Sequence, residues 1–192
     1  MNVFDFDKTI YNGNSIVQFY FWLLRRHPRL WPKFLKIFLW AAAYGLHLRS
    51  KKWYLEHCYS HILPSINTEQ EAAEFWRTHG HKKIKPWYLK IKQPTDVIST
   101  ASPEFFVSPI AKQLGVHLIG TQINPKTWCT LDKYNWGPHK VTYFHAKYGK
   151  AKIDHFYSDS RTDAPLAQIA NQAFLVKGSK ITPWPYPKKK NP

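Results

Sequence analysis

The feature that most restricts the fold is a series of short apolar runs that alternate with helix-like segments. The runs have the length and composition of buried β-strands and occupy residues 2–6, 96–100, 116–121, 155–159 and 173–177. Helix-like segments follow two of them, at residues 103–115, which end in Gly115, and at residues 163–172. Strands that alternate with helices predict an α/β protein with a central parallel sheet.

Residues 13–93 interrupt this alternation because they contain no convincing strand. A stretch of this length is too long for a loop inside a compact domain, so it predicts an inserted helical unit. We therefore expect a discontinuous core formed by residues 1–12 and 94–182 and a helical cap formed by residues 13–93. A basic, proline-rich tail at residues 183–192 is expected to form no regular element.

The first half of the predicted cap is rich in aromatic and basic side chains. Its longest uncharged apolar run, residues 37–46, has ten residues, whereas a membrane-spanning helix needs roughly 18 or more. Apolar side chains recur at helical spacing on one face, at Trp31, Phe34, Leu35, Phe38 and Ala42. Such a helix either packs its apolar face within its own unit or lies at a bilayer surface, and the sequence leaves both alternatives open.

Positive charge dominates the chain. It has 28 Lys and Arg residues against 12 Asp and Glu residues, a formal net charge of +16. The excess favours an anionic partner such as a phosphate ester, an anionic membrane surface or nucleic acid. The lysine-rich segment at residues 81–92 could follow a nucleic-acid backbone, but no nucleic-acid-binding motif accompanies it. Nucleic acid is therefore the least favoured of the three partners.

Cysteine usage and the N-terminus both bear on location. Cys58 and Cys129 form neither a CxxC pair nor a disulfide framework, so we expect reduced thiols. The first predicted strand has begun by Val3, which leaves no space for a secretion signal. We expect a cytoplasmic protein, to which the bilayer alternative would add peripheral contact with the cytosolic face of a membrane.

Acidic residues are scarce, yet four of the 12 occur in two short clusters more than 150 residues apart, Asp5 with Asp7 and Asp159 with Asp163. Each cluster follows a predicted strand, at the end of a parallel sheet where ligands bind. Alternation places Asp5 and Asp7 on the same side of the chain, where they repel unless a cation or a proton lies between them. The pair predicts a metal or acid/base site, with an aspartate turn or helix cap as the alternative.

Four motifs occur in an order that resembles the haloacid dehalogenase (HAD) superfamily of phosphatases. They are DFDKT at residues 5–9, VISTASPE at 97–104, GPHK at 137–140 and YSDSRTD at 157–163. A helical cap between the first and second motifs resembles the phosphoserine-phosphatase-like branch. The phrases LLRRHP, TASP, GPHKV and YSDSRTDAPL are similar to those of bacterial phosphatidylglycerophosphatases of the C type. The resemblance implies a Rossmann-like core with a cap.

Carried to the matching positions, the resemblance implies that Asp5 attacks phosphorus and forms an aspartyl-phosphate. Asp7 would protonate the leaving alkoxide and then activate water. Thr100 is expected to bind a phosphoryl oxygen through its hydroxyl, with Ser99 as the alternative. Lys140 is expected to neutralise charge on the transferred group and on Asp5.

The resemblance also implies a Mg²⁺ cofactor, an ion that prefers hard oxygen ligands. Its expected ligands are Asp5, the backbone carbonyl of Asp7, and Asp159. Asp163 is expected to be a supporting carboxylate that orients metal-bound water or the lysine.

Two positions depart from the family pattern or compete with it. Lys8 stands where a glycine is often found between the second aspartate and the threonine, which adds positive charge near the site. Lys133 is the rival of Lys140 for the third-motif lysine, but Lys140 has the better context.

The basic, aromatic cap favours an amphiphilic substrate whose headgroup contacts basic side chains and whose acyl region contacts aromatic ones. Arg25 and Arg26, in the LLRRHP phrase, are the expected substrate-binding residues of the cap. We therefore expect a Mg²⁺-dependent phosphomonoester hydrolase acting on a lipid phosphate such as phosphatidylglycerophosphate. The alternatives are a phosphatase for a soluble, phosphoserine-like ester, with Glu56 as the only isolated acid for its ammonium, and a non-catalytic anion- or nucleic-acid-binding protein.

Overall fold

The computed structural model describes residues 1–128 and 133–185. Its strands are β1 (Val3–Phe4), β2 (Val97–Pro103), β3 (His117–Thr121), β4 (Ile153–Ser158), β5 (Ala170–Lys177) and β6 (Lys180–Pro183). They form one sheet in the order β3-β2-β1-β4-β5-β6, in which β6 alone pairs antiparallel with its neighbour. The predicted α/β fold with a central, mostly parallel sheet is confirmed.

Helices surround this sheet and fill the interval between β1 and β2. The interval contains α1 (Ser15–Arg26), α2 (Trp31–Gly45), α3 (Lys51–Ile62), α4 (Thr68–Thr78) and α5 (Pro86–Ile91). The later helices are α6 (Glu104–Leu114), α7 (His139–Tyr148) and α8 (Ala164–Ile169). Residues 13–93 are all described and contain no strand. The boundary between cap and core stays a prediction.

Two elements near the C-terminus differ from the prediction. The segment at 163–172 is helical only as far as Ile169, because Ala170 already pairs with Ile153 of β4. Pairing with a neighbouring strand here overrides the helix-favouring composition of the segment. The expectation that the tail has no regular element is wrong for Pro183, which ends β6, an edge strand where proline is tolerated. Residues 186–192 lie outside the described residues.

Strand β1 is central and positions the site. It pairs with β2 on one side and with β4 on the other. Strands β2 and β3 extend the sheet in one direction from β1, and β4, β5 and β6 extend it in the other, so the strand order reverses here. Open α/β sheets bind ligands at the carboxyl ends of strands at such a switch point. The strand has only two residues, but the Asp5 amide still donates to the Tyr157 carbonyl at 2.8 Å. This bond holds Asp5 at the strand end.

Trp76 joins the predicted cap to the core. Its side chain is only 1% exposed and packs edge-on against Phe6, with ring centroids 5.7 Å apart. The indole Nε1 donates to the carbonyl of Phe106 in α6 at 2.5 Å. Trp76 therefore contacts both the turn that follows β1 and a helix that packs on the sheet.

The helix predicted to have one apolar face is apolar on two. Phe34 of α2 is buried, whereas Trp31, Leu35 and Phe38 are exposed. Within residues 1–128 and 133–185, no helix combines the length and apolarity required to cross a bilayer. Cys58 is a buried free thiol whose pKa burial raises to about 12, and Cys129 lies outside the described residues.

We predict that Trp76→Ala lowers the free energy of unfolding by about 3–5 kcal/mol, because it creates a cavity and leaves the Phe106 carbonyl without its donor. Thermal and urea unfolding followed by circular dichroism measure the change. Trp31→Ala is the matched control, with an expected change of about 0.5 kcal/mol or less, since that side chain is 59% exposed. Equal losses in the two variants would contradict the assigned role of Trp76.

Candidate active site

A cavity of ≈ 210 Å³ opens at the carboxyl ends of β1, β2 and β4. We call it the motif pocket, because residues from all four sequence motifs line it. The predicted site residues among them are Asp5, Asp7, Thr100, Lys140, Asp159 and Asp163. Residues that are up to 158 positions apart in the chain are thus brought to one edge of the sheet.

Lys140 links two carboxylates of the pocket. Its Nζ donates to Asp5 Oδ1 at 2.6 Å and to Asp163 Oδ2 at 2.8 Å, and all three residues are buried. Ser158 Oγ also donates to Asp163 Oδ2, at 2.7 Å. A buried ammonium is tolerated only when it is paired and hydrogen-bonded, and two carboxylates meet that requirement here.

Burial and charge act against each other in this group. Burial raises the pKa of Asp5 above its usual range, and the Lys140 ammonium opposes that effect. Burial disfavours the charged form of Lys140, yet the carboxylates of Asp5 and Asp163 raise its pKa overall. Lys140 therefore stays protonated next to Asp5, which suits a group that neutralises negative charge.

Two donors hold the Asp7 carboxylate, one from the start of α1 and one from strand β2. Its Oδ1 accepts from the backbone amide of Ser15, the first residue of α1, at 2.6 Å. Its Oδ2 accepts from Ser102 Oγ at 2.6 Å. Ser102 was not predicted to have a role, although it lies within the TASP phrase. The two contacts set the direction of the Asp7 carboxylate in the pocket.

The structure separates the two candidates for the second-motif hydroxyl. Thr100 lines the pocket, and its Oγ1 accepts from the Ser102 amide at 3.1 Å. Ser99 Oγ instead accepts from Asn135 Nδ2 at 3.2 Å and does not line the pocket. Successive residues of a strand point to opposite faces, so only one of the pair can be directed to the ligand.

Thr9, the threonine of the first motif, links the two acidic clusters. Its Oγ1 donates to Asp5 Oδ2 at 3.0 Å and accepts from the backbone amide of Asp159 at 2.9 Å. Sequence reasoning gave Thr9 no function, and the T of DxDxT was the available signal. The hydroxyl fixes the second oxygen of Asp5 while Lys140 fixes the first.

Lys8 departs from the family pattern in conformation as well as in chemistry. It has φ 60°, in the left-handed region that glycine adopts without steric cost. Its amide donates to the Gly13 carbonyl at 2.9 Å, and its side chain lines the motif pocket. The turn after β1 thus explains why a glycine is often found at this position.

The donor set fits the Mg²⁺ ion that the resemblance implies. Asp5 and Asp159 both line the pocket and offer hard oxygen atoms. Burial raises the pKa of Asp159, against the opposing charges of Lys8 and Lys177, and the Asp159 charge contributes to the raised pKa of Asp5. A bound cation would favour the ionised forms of both carboxyl groups.

Among the described residues, no group of three or more His, Cys, Asp or Glu side chains suits a metal ion. The expected set has two carboxylates, those of Asp5 and Asp159, and takes its third ligand from the main chain at Asp7. The remaining positions of a Mg²⁺ ion would belong to water or substrate.

Lys51, the first residue of α3, lies at the mouth of the motif pocket and was not predicted from the sequence. Its Nζ lies 5.4 Å from the centroid of the Trp136 ring, a cation–π contact. Partial enclosure at the mouth, followed by the charge of Lys140, lowers the pKa of Lys51. Leu55 and Tyr59 of the same helix line the pocket beside it.

The arginines expected to bind substrate do not line this pocket. Arg26 Nε is 3.1 Å from Glu71 Oε2, and its guanidinium lies over the Trp22 ring at 5.3 Å. Arg25 is exposed and is also absent from the pocket lining. Lys133, the rival third-motif lysine, lines a separate cavity between α6 and α7.

Comparisons with known proteins bear on the family and the fold. A family model described as haloacid dehalogenase-like hydrolase matches residues 3–168. A search of the curated proteins finds no match.

Two solved structures share the fold. A protein with unknown function from Bordetella pertussis Tohama I has a TM-score of 0.76 and 19% sequence identity, covering 90% of this chain and 87% of that chain. A phosphoserine phosphohydrolase-like protein from Francisella tularensis subsp. tularensis SCHU S4 has a TM-score of 0.61 and 17% identity, covering 90% of this chain and 86% of that chain. At these identities the likeness concerns the fold alone.

We predict that Lys140→Met lowers the free energy of unfolding by about 3–5 kcal/mol, because it leaves two buried carboxylates facing each other without a cation. Urea unfolding at neutral pH measures the loss. Lys133→Met, which removes a lysine of the same region outside the motif pocket, is the control and should have little effect. A stability equal to that of the wild type would show that the ion pairs are not formed in solution.

Proposed function

Because the chain belongs to the haloacid dehalogenase-like hydrolase family, we propose that it is a Mg²⁺-dependent phosphomonoester hydrolase that acts on a lipid phosphate such as phosphatidylglycerophosphate. The observation that carries the proposal is the Asp5 carboxylate, which lines the motif pocket and is held there by Lys140 and Thr9. A carboxylate fixed in this way can attack phosphorus without further rearrangement.

In the first step a carboxylate oxygen of Asp5 attacks phosphorus, and the bond from phosphorus to the ester oxygen breaks. Asp7 gives its proton to the departing alkoxide, which leaves as an alcohol. In the second step Asp7 takes a proton from water, the water oxygen attacks phosphorus, and the bond to Asp5 breaks. Inorganic phosphate leaves, and both carboxyl groups return to their starting state.

The surrounding groups stabilise charge on the transferred phosphoryl group. Lys140 donates to Asp5, and Thr100 lines the same pocket together with Ala101 and Ser102 of the second motif. Asp163 and Ser158 hold the Lys140 ammonium in place. When bound, Mg²⁺ would neutralise phosphoryl oxygens, held by Asp5, the carbonyl of Asp7, and Asp159.

The lining of the pocket mouth supports an anionic, amphiphilic leaving group. Lys51 offers a cation beside apolar and aromatic side chains, those of Leu55, Tyr59 and Trp136. A lipid phosphate with a second phosphate in its headgroup would place that charge near Lys51 and its glycerol near the aromatic rings.

A soluble, phosphoserine-like substrate has less support. Its ammonium requires an acidic partner outside the catalytic set, and the described lining contains no acid beyond the four motif aspartates. Glu56 is not part of that lining. The proposal includes a cytoplasmic protein that acts peripherally on the cytosolic face of a membrane, where a lipid phosphate is presented.

Hydrolysis of para-nitrophenyl phosphate tests the reaction. We predict that Asp5→Asn reduces the rate to that of the uncatalysed reaction, since an amide oxygen does not form the covalent intermediate. Removal of Mg²⁺ with a chelator should have the same effect on the wild type, and added Mg²⁺ should restore the rate. Asp154→Asn is the control, because this exposed carboxylate pairs with the N-terminal ammonium, accepts from Asn171 and does not line the motif pocket. Turnover retained by Asp5→Asn would refute the proposal.

Lys51→Ala tests the substrate class. We predict that kcat/KM for phosphatidylglycerophosphate falls about 10- to 100-fold, the effect of losing one charge-assisted contact. For phosphatidic acid, which has no second phosphate, kcat/KM should stay close to the wild-type value. Lys52→Ala is the control, since this neighbouring lysine is exposed and does not line the pocket. Equal losses on both lipids would contradict recognition of a second phosphate by Lys51.

A further inference from the structure

The outward side of α2 and the turn after it carry six large, exposed apolar side chains. Between 51% and 70% of each of these side chains is exposed. We call this surface the outer face; its members are Trp31, Leu35, Phe38, Leu39, Leu46 and Leu48. In a helix with 3.6 residues per turn, the members from Trp31 to Leu39 lie within one sector of about 100°, and Leu46 and Leu48 follow directly after the helix.

The side chains of the outer face are not the ones that pack α2 against the rest of the protein. The other side of α2 already packs against α3: Phe34 and Ile37 are buried, and the Trp40 ring lies edge-on to His61 at 5.2 Å. Lys33 Nζ donates to the His61 carbonyl at 3.1 Å, which fixes the rotation of the helix. The helix therefore has a satisfied apolar side and a second one that faces solvent. An exposed apolar surface of this kind is typical of an interaction site.

The charge around the outer face identifies its partner. Arg29 precedes α2, Lys36 flanks the apolar sector, and Arg49 follows Leu48, and all three are exposed. Between Asp7 and Glu69 the chain contains a single acidic residue, Glu56. An apolar sector of Trp, Phe and Leu with a basic border matches a bilayer that contains anionic lipid, where the apolar side chains enter the acyl boundary and the cations meet the headgroups.

We propose that the outer face docks the protein on an anionic bilayer. A second copy of the chain is disfavoured as the occupant, because face-to-face contact would bring the basic borders of both copies together with one acid each to offset them. An acidic protein would meet the basic border but would leave six large apolar side chains to be covered by a matching groove. A bilayer satisfies both parts of the surface at once.

The outer face lies on α2, and the neighbouring helix α3 lines part of the motif pocket. The chain passes from Leu48 through Arg49 to Ser50, whose side chain caps α3, and then to Lys51 at the pocket mouth. Docking through α2 would therefore bring the mouth close to the headgroup layer. Only this link between docking and the pocket rests on the proposed function. Docking itself does not, since binding to vesicles does not require turnover.

The test is cosedimentation of the full chain with vesicles of phosphatidylcholine, with and without phosphatidylglycerol. Wild type should sediment with the anionic vesicles, less so at high salt, and should stay in solution with the neutral ones. Leu35→Glu with Phe38→Glu should lower the partition coefficient at least about 100-fold, since each buried Leu or Phe contributes a factor of about 10 or more. Leu89→Glu with Ile91→Glu adds the same charge at exposed apolar positions of α5 and should bind as the wild type does.

Circular dichroism and hydrolysis of para-nitrophenyl phosphate confirm that both double variants are folded. Equal partitioning of the Leu35/Phe38 variant and the wild type would overturn the inference. A dimer in sedimentation velocity that this variant dissociates, without vesicle binding by the wild type, would also overturn it and identify the outer face as a contact between copies. Vesicle binding without phosphatase activity would refute the proposed hydrolase activity and leave docking in place. Phosphatase activity without vesicle binding would refute docking and the peripheral location, and leave the hydrolase activity in place.

Discussion

The Lys140 ammonium is buried between the carboxylates of Asp5 and Asp163, and the geometry of the site depends on it. Removing a lysine from water is costly, and only two nearby carboxylates with further hydrogen bonds offset that cost. The contacts join α7 to the ends of β1 and β4, so the same pairing that holds the third and fourth motifs to the first also orients Asp5. The contacts that hold the fold together here use the same atoms as the proposed chemistry, as is common where ionisable groups are buried in a cleft.

Acidic side chains lie near Lys140, and basic side chains lie further out. Four aspartates lie in the motif pocket, Lys51 lies at its mouth, and basic side chains of α1, α2 and α3 extend outwards. An anionic ligand that approaches from the cap side meets positive potential before it reaches the carboxylates, which increases the rate of encounter. If Mg²⁺ is bound among the acids, the pocket itself also becomes favourable for a phosphate group.

Much of the core could be predicted from local pattern. The apolar runs at residues 116–121 and 173–177 correspond to β3 and to the second half of β5. The helix before Gly115 ends at that residue, which has φ 70° and caps α6. Edge strand β6 was missed because it depends on pairing with β5 and has little apolar character of its own. The early end of α8 was missed for the same reason, since pairing with β4 decides it.

The site shows a similar division. Asp5, Asp7, Asp159 and Lys140 could be named because short motifs identify them, and the structure brings them together. Contacts between residues far apart in the chain could not be predicted: those of Ser102 with Asp7 and of the Asp159 amide with Thr9, and the position of Lys51 at the pocket mouth. Arg25 and Arg26 belong to a family phrase, yet the rotation of α1 directs Arg26 to Glu71.

By itself, the sequence determined the strand-and-helix alternation, the acidic motifs and the positive charge, since each is a property of residues close together in the chain. Only the tertiary structure decided which apolar side of α2 is buried, which cation reaches the pocket and which hydroxyl faces it. Helical periodicity shows that a side is apolar but not what covers it, because that depends on the rotation of one packed helix against another.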